Sequence, residues 1–148
     1  MQNSGSCLCG AVKITLNTSI KDIAACHCGM CRKWGSGPFL SIHTVDKIDI
    51  AGKEEITSFV SSAWAERAFC KKCGTHLFYR MRSSPDVFLA VGLFNKIDKA
   101  KLVRQIFVDK KPHFYHFVEQ TEMLTEKDVL QQYYKDDPDV SIAKIKKA

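Results

Sequence analysis

The sequence predicts a mainly β domain with one short helix near its C-terminal end. Two observations lead to this prediction. About eight short runs show the alternation or the apolar character of strands, and turn-forming residues separate them. A helical pattern with a clear start signal occurs only after Thr125. The chain also contains seven cysteines; three of them, at 26, 28 and 31, have a spacing that neither a strand period nor a helix period would place on one face.

The predicted strands follow one another along most of the chain. Residues 11–17 alternate apolar and polar side chains, as a half-buried strand does. Residues 35–38 and 83–86 contain the glycine, proline, serine and aspartate typical of turns. We expect further strands at residues 39–43, 48–51, 55–61, 65–69, 77–80, 87–91 and 105–108.

The predicted helix begins after Thr125, whose side chain can cap it together with Asp128 in a capping-box variant. Val129, Leu130 and Tyr133 supply its apolar stripe, and residues 136–138 end it. We expect one domain over residues 1–138 and a basic surface tail over residues 139–148.

Length and composition are those of an ordinary soluble protein. The chain has 148 residues, of which 45% are hydrophobic and 26% charged, so one domain can bury one sizeable core. No apolar run approaches the ~18 residues that a membrane span needs. The first six residues are polar and show no secretory signal, so we expect a cytoplasmic protein. Cysteines stay reduced there, and clustered ones more often bind metal than form disulfides.

The cysteines divide into a set of four and a set of three. Cys7 and Cys9 form one pair and Cys70 and Cys73 another, each followed by glycine. Four thiolates complete a tetrahedral structural zinc site. An iron–sulfur cluster also uses four thiolates, so it remains an alternative, as do buried cysteines without metal. A redox dithiol at Cys70 and Cys73 would call for a βαβ context, and the local pattern is β.

Cys26, Cys28 and Cys31 form the second set, with the spacing C-x-C-x-x-C. Three thiolates leave one zinc position open, as in catalytic sites, although His27 or a distant side chain would make the site structural. We expect the ring of His27 to point away from the ion, because both its neighbours are candidate ligands. Arg32 and Lys33 follow directly, and they either offset the thiolate charge, hold a carboxylate or form a solvated pair.

The order of these motifs resembles the glutathione-dependent formaldehyde-activating enzymes, a family that also includes the relatives of centromere protein V. The resemblance runs from about Cys7 to Tyr115. It rests on four motifs: Cys7-x-Cys9-Gly10-x-Val12, Cys26-His27-Cys28-x-x-Cys31-Arg32-Lys33, Phe69-Cys70-x-x-Cys73-Gly74-Thr75-x-Leu77-Phe78 and Phe107-Val108-Asp109-x-Lys111-Pro112.

The resemblance implies a β-tent fold of antiparallel sheets around two zinc ions. It assigns one ion, structural, to Cys7, Cys9, Cys70 and Cys73, and a second, catalytic, to Cys26, Cys28 and Cys31. It implies a carbon–sulfur lyase similar to S-(hydroxymethyl)glutathione synthase, which joins glutathione to formaldehyde or a related small aldehyde. This sequence departs from the family at Gln105, where histidine is frequent, and at His113-Phe114, where tryptophan is common.

The substrates implied by the resemblance give the basic residues a role. Glutathione carries two carboxylates, and Arg32, Lys33, Lys110 and Lys111 are their candidate partners. A different class of function, a zinc-stabilised module that binds nucleic acid or protein without catalysis, remains the alternative. The net charge of +6 is moderate and the basic residues are dispersed, whereas nucleic-acid binding calls for one clustered basic face.

Overall fold

The structure is a computed structural model that describes residues 2–45, 48–138 and 140. Within that part of the chain, eleven strands and two short helices confirm the mainly β fold class. The helices are α1 (Gly29–Gly35) and α2 (Glu126–Tyr133). The strands are β1 (Asn3–Ser6), β2 (Lys13–Leu16), β3 (Asp22–Cys26), β4 (Phe39–Thr44), β5 (Asp49–Ala51), β6 (Ile56–Val60), β7 (Ala65–Cys70), β8 (His76–Met81), β9 (Val87–Ala90), β10 (Lys101–Ile106) and β11 (Glu122–Leu124).

The strands form two sheets. The small sheet has the order β1-β2-β5, and the large sheet has the order β11-β10-β3-β4-β9-β8-β7-β6. Neighbouring strands are antiparallel except where β10 lies between β3 and β11, with both of which it pairs in parallel. The parallel pairing sets Ile106, the last residue of β10, beside Cys26, the last residue of β3.

The two sets of cysteines belong to two different groups of packed side chains. The larger core contains Val12, Ile14 and Leu16 of β2 packed with side chains of the large sheet, and it includes Cys7 and Cys70. A smaller cluster contains Cys26 and Cys31 with two aromatic side chains, Phe39 and Tyr79. Each set of cysteines is therefore fixed by its own group of packed side chains.

The C-terminal helix forms where the sequence predicts it. Thr125 is its N-cap, and the reciprocal bonds between Thr125 and Asp128 complete the capping box. Val129 is buried, whereas Tyr133 is exposed, so the apolar stripe is narrower than predicted. Val140 is also buried, against the cluster around Trp64, although we expected a surface tail from residue 139; residues 141–148 lie outside the described part.

The structure adds elements that the sequence pattern did not predict. The helix α1 follows Cys28, whose side chain accepts a bond from the Cys31 amide and so replaces the usual hydroxyl or carboxylate cap. The strand expected at residues 105–108 lies at Lys101–Ile106, because Phe107 adopts a left-handed backbone with φ of 56° that ends it. No helix in the described residues is long and apolar enough to cross a membrane.

Candidate functional site

The four-cysteine cluster joins two turns that are far apart in the sequence. Cys7 and Cys9 lie in the turn between β1 and β2, while Cys70 ends β7 and Cys73 lies in the turn before β8. Their four sulfur atoms lie within 4.8 Å of one another, so together they can hold a metal ion.

Glycine and backbone amides shape both turns. Gly10 and Gly74, each directly after a cysteine, have φ of 75° and 73°, in the left-handed region that glycine adopts without strain. The Val12 amide donates to the sulfur of Cys7 over 3.3 Å. Hydrogen bonds from the Thr75 side chain and backbone lower the pKa of Cys73 to about 5, so this thiol ionises readily. The two turns thus bring the four sulfurs to one point.

The sulfur spacing fits zinc. A tetrahedral ion with Zn–S bonds of about 2.3 Å places its sulfurs roughly 3.8 Å apart. The Cys7 and Cys9 sulfurs are 3.6 Å apart, and the Cys9 and Cys70 sulfurs are 3.8 Å apart. The donor set and its dimensions therefore match a closed four-thiolate zinc site.

The three-cysteine cluster forms where β3 passes into α1. Cys26 ends the strand, Cys28 caps the helix and Cys31 lies in its first turn, with its amide 3.4 Å from the Cys28 sulfur. These three sulfurs also lie within 4.8 Å of one another. Hydrogen bonds with Cys26 and Cys31 lower the pKa of Cys28 to about 3, while that of Cys26 is raised well above its usual value. The donor set suits a metal with one position left for another ligand.

His27 points away from the three sulfurs, as predicted. Its ring is completely buried, with Nδ1 2.8 Å from the Tyr115 hydroxyl and Nε2 2.9 Å from Oε1 of Gln105. The amide group of Gln105 donates to Thr121, which leaves Oε1 as the acceptor for the His27 Nε2 proton. Nδ1 therefore accepts from Tyr115, and burial lowers the pKa of His27, which keeps the ring neutral.

A wide groove, here called the outer groove, opens beside Cys28 of the three-cysteine cluster. It has a volume of about 560 Å³ and is lined by Cys28, Gly29, Met30, Arg32, Lys33, Ser36, Gly37, Pro112, Phe114 and Tyr115. The predicted pair Arg32 and Lys33 thus lies beside a cysteine of the cluster. Arg32 is held there by a hydrogen bond of 3.0 Å, which its Nε donates to the carbonyl oxygen of His27.

Lys110 and Lys111, the other two predicted carboxylate partners, are not among the residues lining the outer groove. Lys110 pairs with Asp109 and Glu126. Lys111 donates to the carbonyl of Tyr115 and lies 3.0 Å from Nδ1 of His116. Of the four basic residues predicted as carboxylate partners, only Arg32 and Lys33 line the outer groove.

A second space, here called the inner cavity, is lined by all the cysteines of the three-cysteine cluster. Its volume is about 70 Å³, and Cys26, Cys28, Cys31, Arg67, Tyr79 and Ile106 contribute to its wall. Arg67 is only 6% exposed, and its Nη2 lies 3.6 Å from the sulfur of Cys31. Neither Arg67 nor the bond from Tyr115 to His27 was predicted from the sequence.

The sequence gives little indication of where the side chains of Arg67 and Tyr115 lie. Arg67 lies on β7, which buries Ala65 and Arg67 on one face and Ala68 and Cys70 on the other. Because both faces are covered, the alternation that would show where Arg67 points is lost. Tyr115 lies in a segment without strand or helix, 88 residues from its partner His27.

The chain is similar in sequence to known proteins over most of its length. Residues 2–110 match the family model described as glutathione-dependent formaldehyde-activating enzyme. An uncharacterized lyase of Schizosaccharomyces pombe is 33% identical over 132 residues, which cover 88% of this chain and 96% of that protein. A Podospora anserina protein that bears the family's name is 34% identical over 80 residues, 51% of this chain and 38% of its own length.

The fold has a counterpart among solved structures. The crystal structure of a Rhodobacter sphaeroides protein matches with a TM-score of 0.54 and 25% sequence identity, over 69% of this chain and 98% of that one. The match to the family model spans all seven cysteines of both clusters. The chain belongs to the glutathione-dependent formaldehyde-activating enzyme family.

Proposed function

We propose that this protein is a zinc-dependent carbon–sulfur lyase that adds the thiol of glutathione to formaldehyde or a related small aldehyde. The observation that carries the proposal is that the three-cysteine cluster borders two spaces of different size. Cys28 lines both the outer groove of about 560 Å³ and the inner cavity of about 70 Å³. A peptide thiol fits the first, and only a small molecule fits the second.

Two zinc ions have separate roles in this proposal. Cys7, Cys9, Cys70 and Cys73 hold a structural ion, and Cys26, Cys28 and Cys31 hold a catalytic one. When bound at the second site, zinc supplies an open position that keeps an incoming sulfur deprotonated near neutral pH. We favour this role over activation of the carbonyl, because three thiolates reduce the strength of the ion as a Lewis acid.

The outer groove supplies the binding energy and orientation for glutathione. Arg32 and Lys33 lie on α1 directly after Cys31, where they can pair with the carboxylates of the peptide. The exposed ring of Phe114 and the ring of Tyr115 also line the groove. Holding the thiol beside the small cavity converts a bimolecular encounter into an oriented one.

In the reaction, the thiolate sulfur forms a bond to the carbonyl carbon and the carbon–oxygen π bond breaks. The oxygen then takes up one proton, which balances the proton lost by the thiol, and no electrons are gained or lost overall. The reaction needs no oxidant or reductant.

A double variant tests the role of the outer groove. Arg32→Ala with Lys33→Ala should weaken glutathione binding by about tenfold or more, since hydrogen bonds to charged groups contribute about 1.5–3 kcal/mol. Calorimetry measures the affinity, and circular dichroism should show an unchanged fold. The matched control is Lys13→Ala with Lys101→Ala, which removes two exposed charges elsewhere. Equal affinities in both double variants would exclude this pair from the thiol site.

The reaction itself is tested by mixing glutathione and formaldehyde with the zinc-loaded protein. NMR exchange between free and adduct signals should show a rate above the background, which is measured without protein because the addition also proceeds unaided. No acceleration with any thiol would contradict the proposed function.

A further inference from the structure

Arg67 is a buried cation held by aromatic rings. Its guanidinium carbon lies 4.9 Å from the centre of the Trp34 ring and 5.3 Å from the centre of the Tyr79 ring. Burial raises the pKa of Tyr79 well above its usual value, so that phenol stays neutral. No carboxylate in residues 2–45, 48–138 or 140 forms an ion pair with Arg67. The rings fix its position and leave its charge without a carboxylate partner.

Two of its three nitrogens also lack hydrogen-bond partners. Nε and Nη1 are buried and make no hydrogen bond within the described residues, while Nη2 points to the Cys31 sulfur. A buried donor without an acceptor costs about 1–3 kcal/mol, and more when it is charged. If Arg67 served only to balance the negative charge of the thiolates, that role would account for the position of Nη2 but not for those of Nε and Nη1. The other two nitrogens call for an acceptor that residues 2–45, 48–138 and 140 do not supply.

The inner cavity is where that acceptor can lie, because Arg67 and all three cysteines of the cluster contribute to its wall. Its volume of about 70 Å³ is several times the ~10–15 Å³ that a cavity needs to hold one water molecule. The site therefore admits a molecule of a few non-hydrogen atoms. A neutral aldehyde offers one weak acceptor, whereas a carboxylate offers two charged oxygens, which guanidinium groups bind best.

We propose that Arg67 forms an anion-binding site in the inner cavity, and that the aldehyde it selects carries a carboxylate, as glyoxylate does. The proposal rests on the proposed function and narrows its substrate class. The guanidinium binds the carboxylate and so directs the aldehyde carbon toward the three cysteines. The thiolate sulfur bonds to that carbon, the carbon–oxygen π bond breaks, and the oxygen takes up one proton to give a hydroxy thioether acid.

Binding is tested first, without reference to catalysis. Formate is an unreactive carboxylate small enough for the cavity, and formamide is its neutral counterpart. With zinc-loaded protein, NMR titration of ¹³C-formate should show saturable binding. The affinity for formate should be about tenfold or more lower in Arg67→Met. Arg67→Lys should fall between the two, because it keeps the charge and loses the planar donors. The control Arg80→Met removes an exposed arginine that pairs with Glu66, and it should bind formate as the wild type does.

Two binding results would overturn the proposal. One is equal formate affinity in Arg67→Met and the wild type, as expected if the metal alone holds the anion. The other is formamide binding as tightly as formate. If Arg67→Met does not fold, the Arg67→Lys affinity decides, because a metal that alone holds the anion would bind formate equally in Arg67→Lys and the wild type.

Substrate choice is tested second, with glutathione and either glyoxylate, its neutral counterpart glycolaldehyde, or formaldehyde. Wild-type protein should accelerate the addition to glyoxylate about tenfold or more over glycolaldehyde, and Arg67→Met should remove that difference. Acceleration with formaldehyde but none with glyoxylate would overturn the inference while the proposed function stands. Arg67-dependent formate binding without any accelerated addition would support the anion site and contradict the proposed function.

Discussion

At the scale of single residues, the chemistry of the site depends on side chains whose partners lie far away in the sequence. The cysteines could be predicted, because the C-x-C, C-x-x-C and following glycine signals are local. Arg67 could not, because its sulfur neighbour Cys31 is 36 residues away and both faces of its strand are buried. His27 could be predicted to point away from the metal, but not to bond with Tyr115 and Gln105.

The hydrogen bond from His27 to Gln105 leads to a prediction about stability. Gln105→Ala removes the acceptor of a fully buried Nε2 proton, so it should lower the free energy of unfolding by about 1–3 kcal/mol. Denaturant unfolding followed by circular dichroism measures the change. Gln120→Ala, at an exposed position, serves as the control. Equal stability of the two variants would show that the buried network does not stabilise the fold.

At the scale of elements, strands and turns were easier to predict than their pairing. Turn residues at 83–86 and the Thr125 cap mark element boundaries directly, and the structure places a turn and a helix there. The helix α1 was missed because a thiol caps it and only seven residues form it. The parallel pairing of β10 with β3 was also missed, since pairing over such a separation leaves no periodic pattern.

The four-cysteine cluster connects two turns, which leads to a prediction at this scale. Cys9 and Cys70 are 61 positions apart, and a metal bound there closes the intervening loop. Structural zinc contributes about 10–16 kcal/mol of folding energy in zinc-finger peptides, so Cys73→Ser should fold poorly. Thermal unfolding and zinc analysis measure the effect. A variant with wild-type melting temperature and full zinc content would refute a structural role for this cluster.

At the scale of the whole molecule, the fold keeps the two clusters apart. Cys7 and Cys70 belong to the larger core, whereas Cys26 and Cys31 belong to the smaller cluster with Phe39 and Tyr79. The three-cysteine cluster also borders the two spaces in which we place the substrates. The central claim is therefore that one cluster stabilises the domain and the other performs the addition.

Cys31→Ser tests that claim most directly, with zinc content, melting temperature and adduct formation measured on one preparation. We expect a soluble, folded protein that loses up to one zinc per chain and adds glutathione to formaldehyde no faster than the background. Its melting temperature should stay within about 4 °C of the wild type, a shift that corresponds to roughly 1 kcal/mol in a domain of this size. An unfolded variant would make the second cluster structural, and a folded variant with full activity would place the chemistry elsewhere.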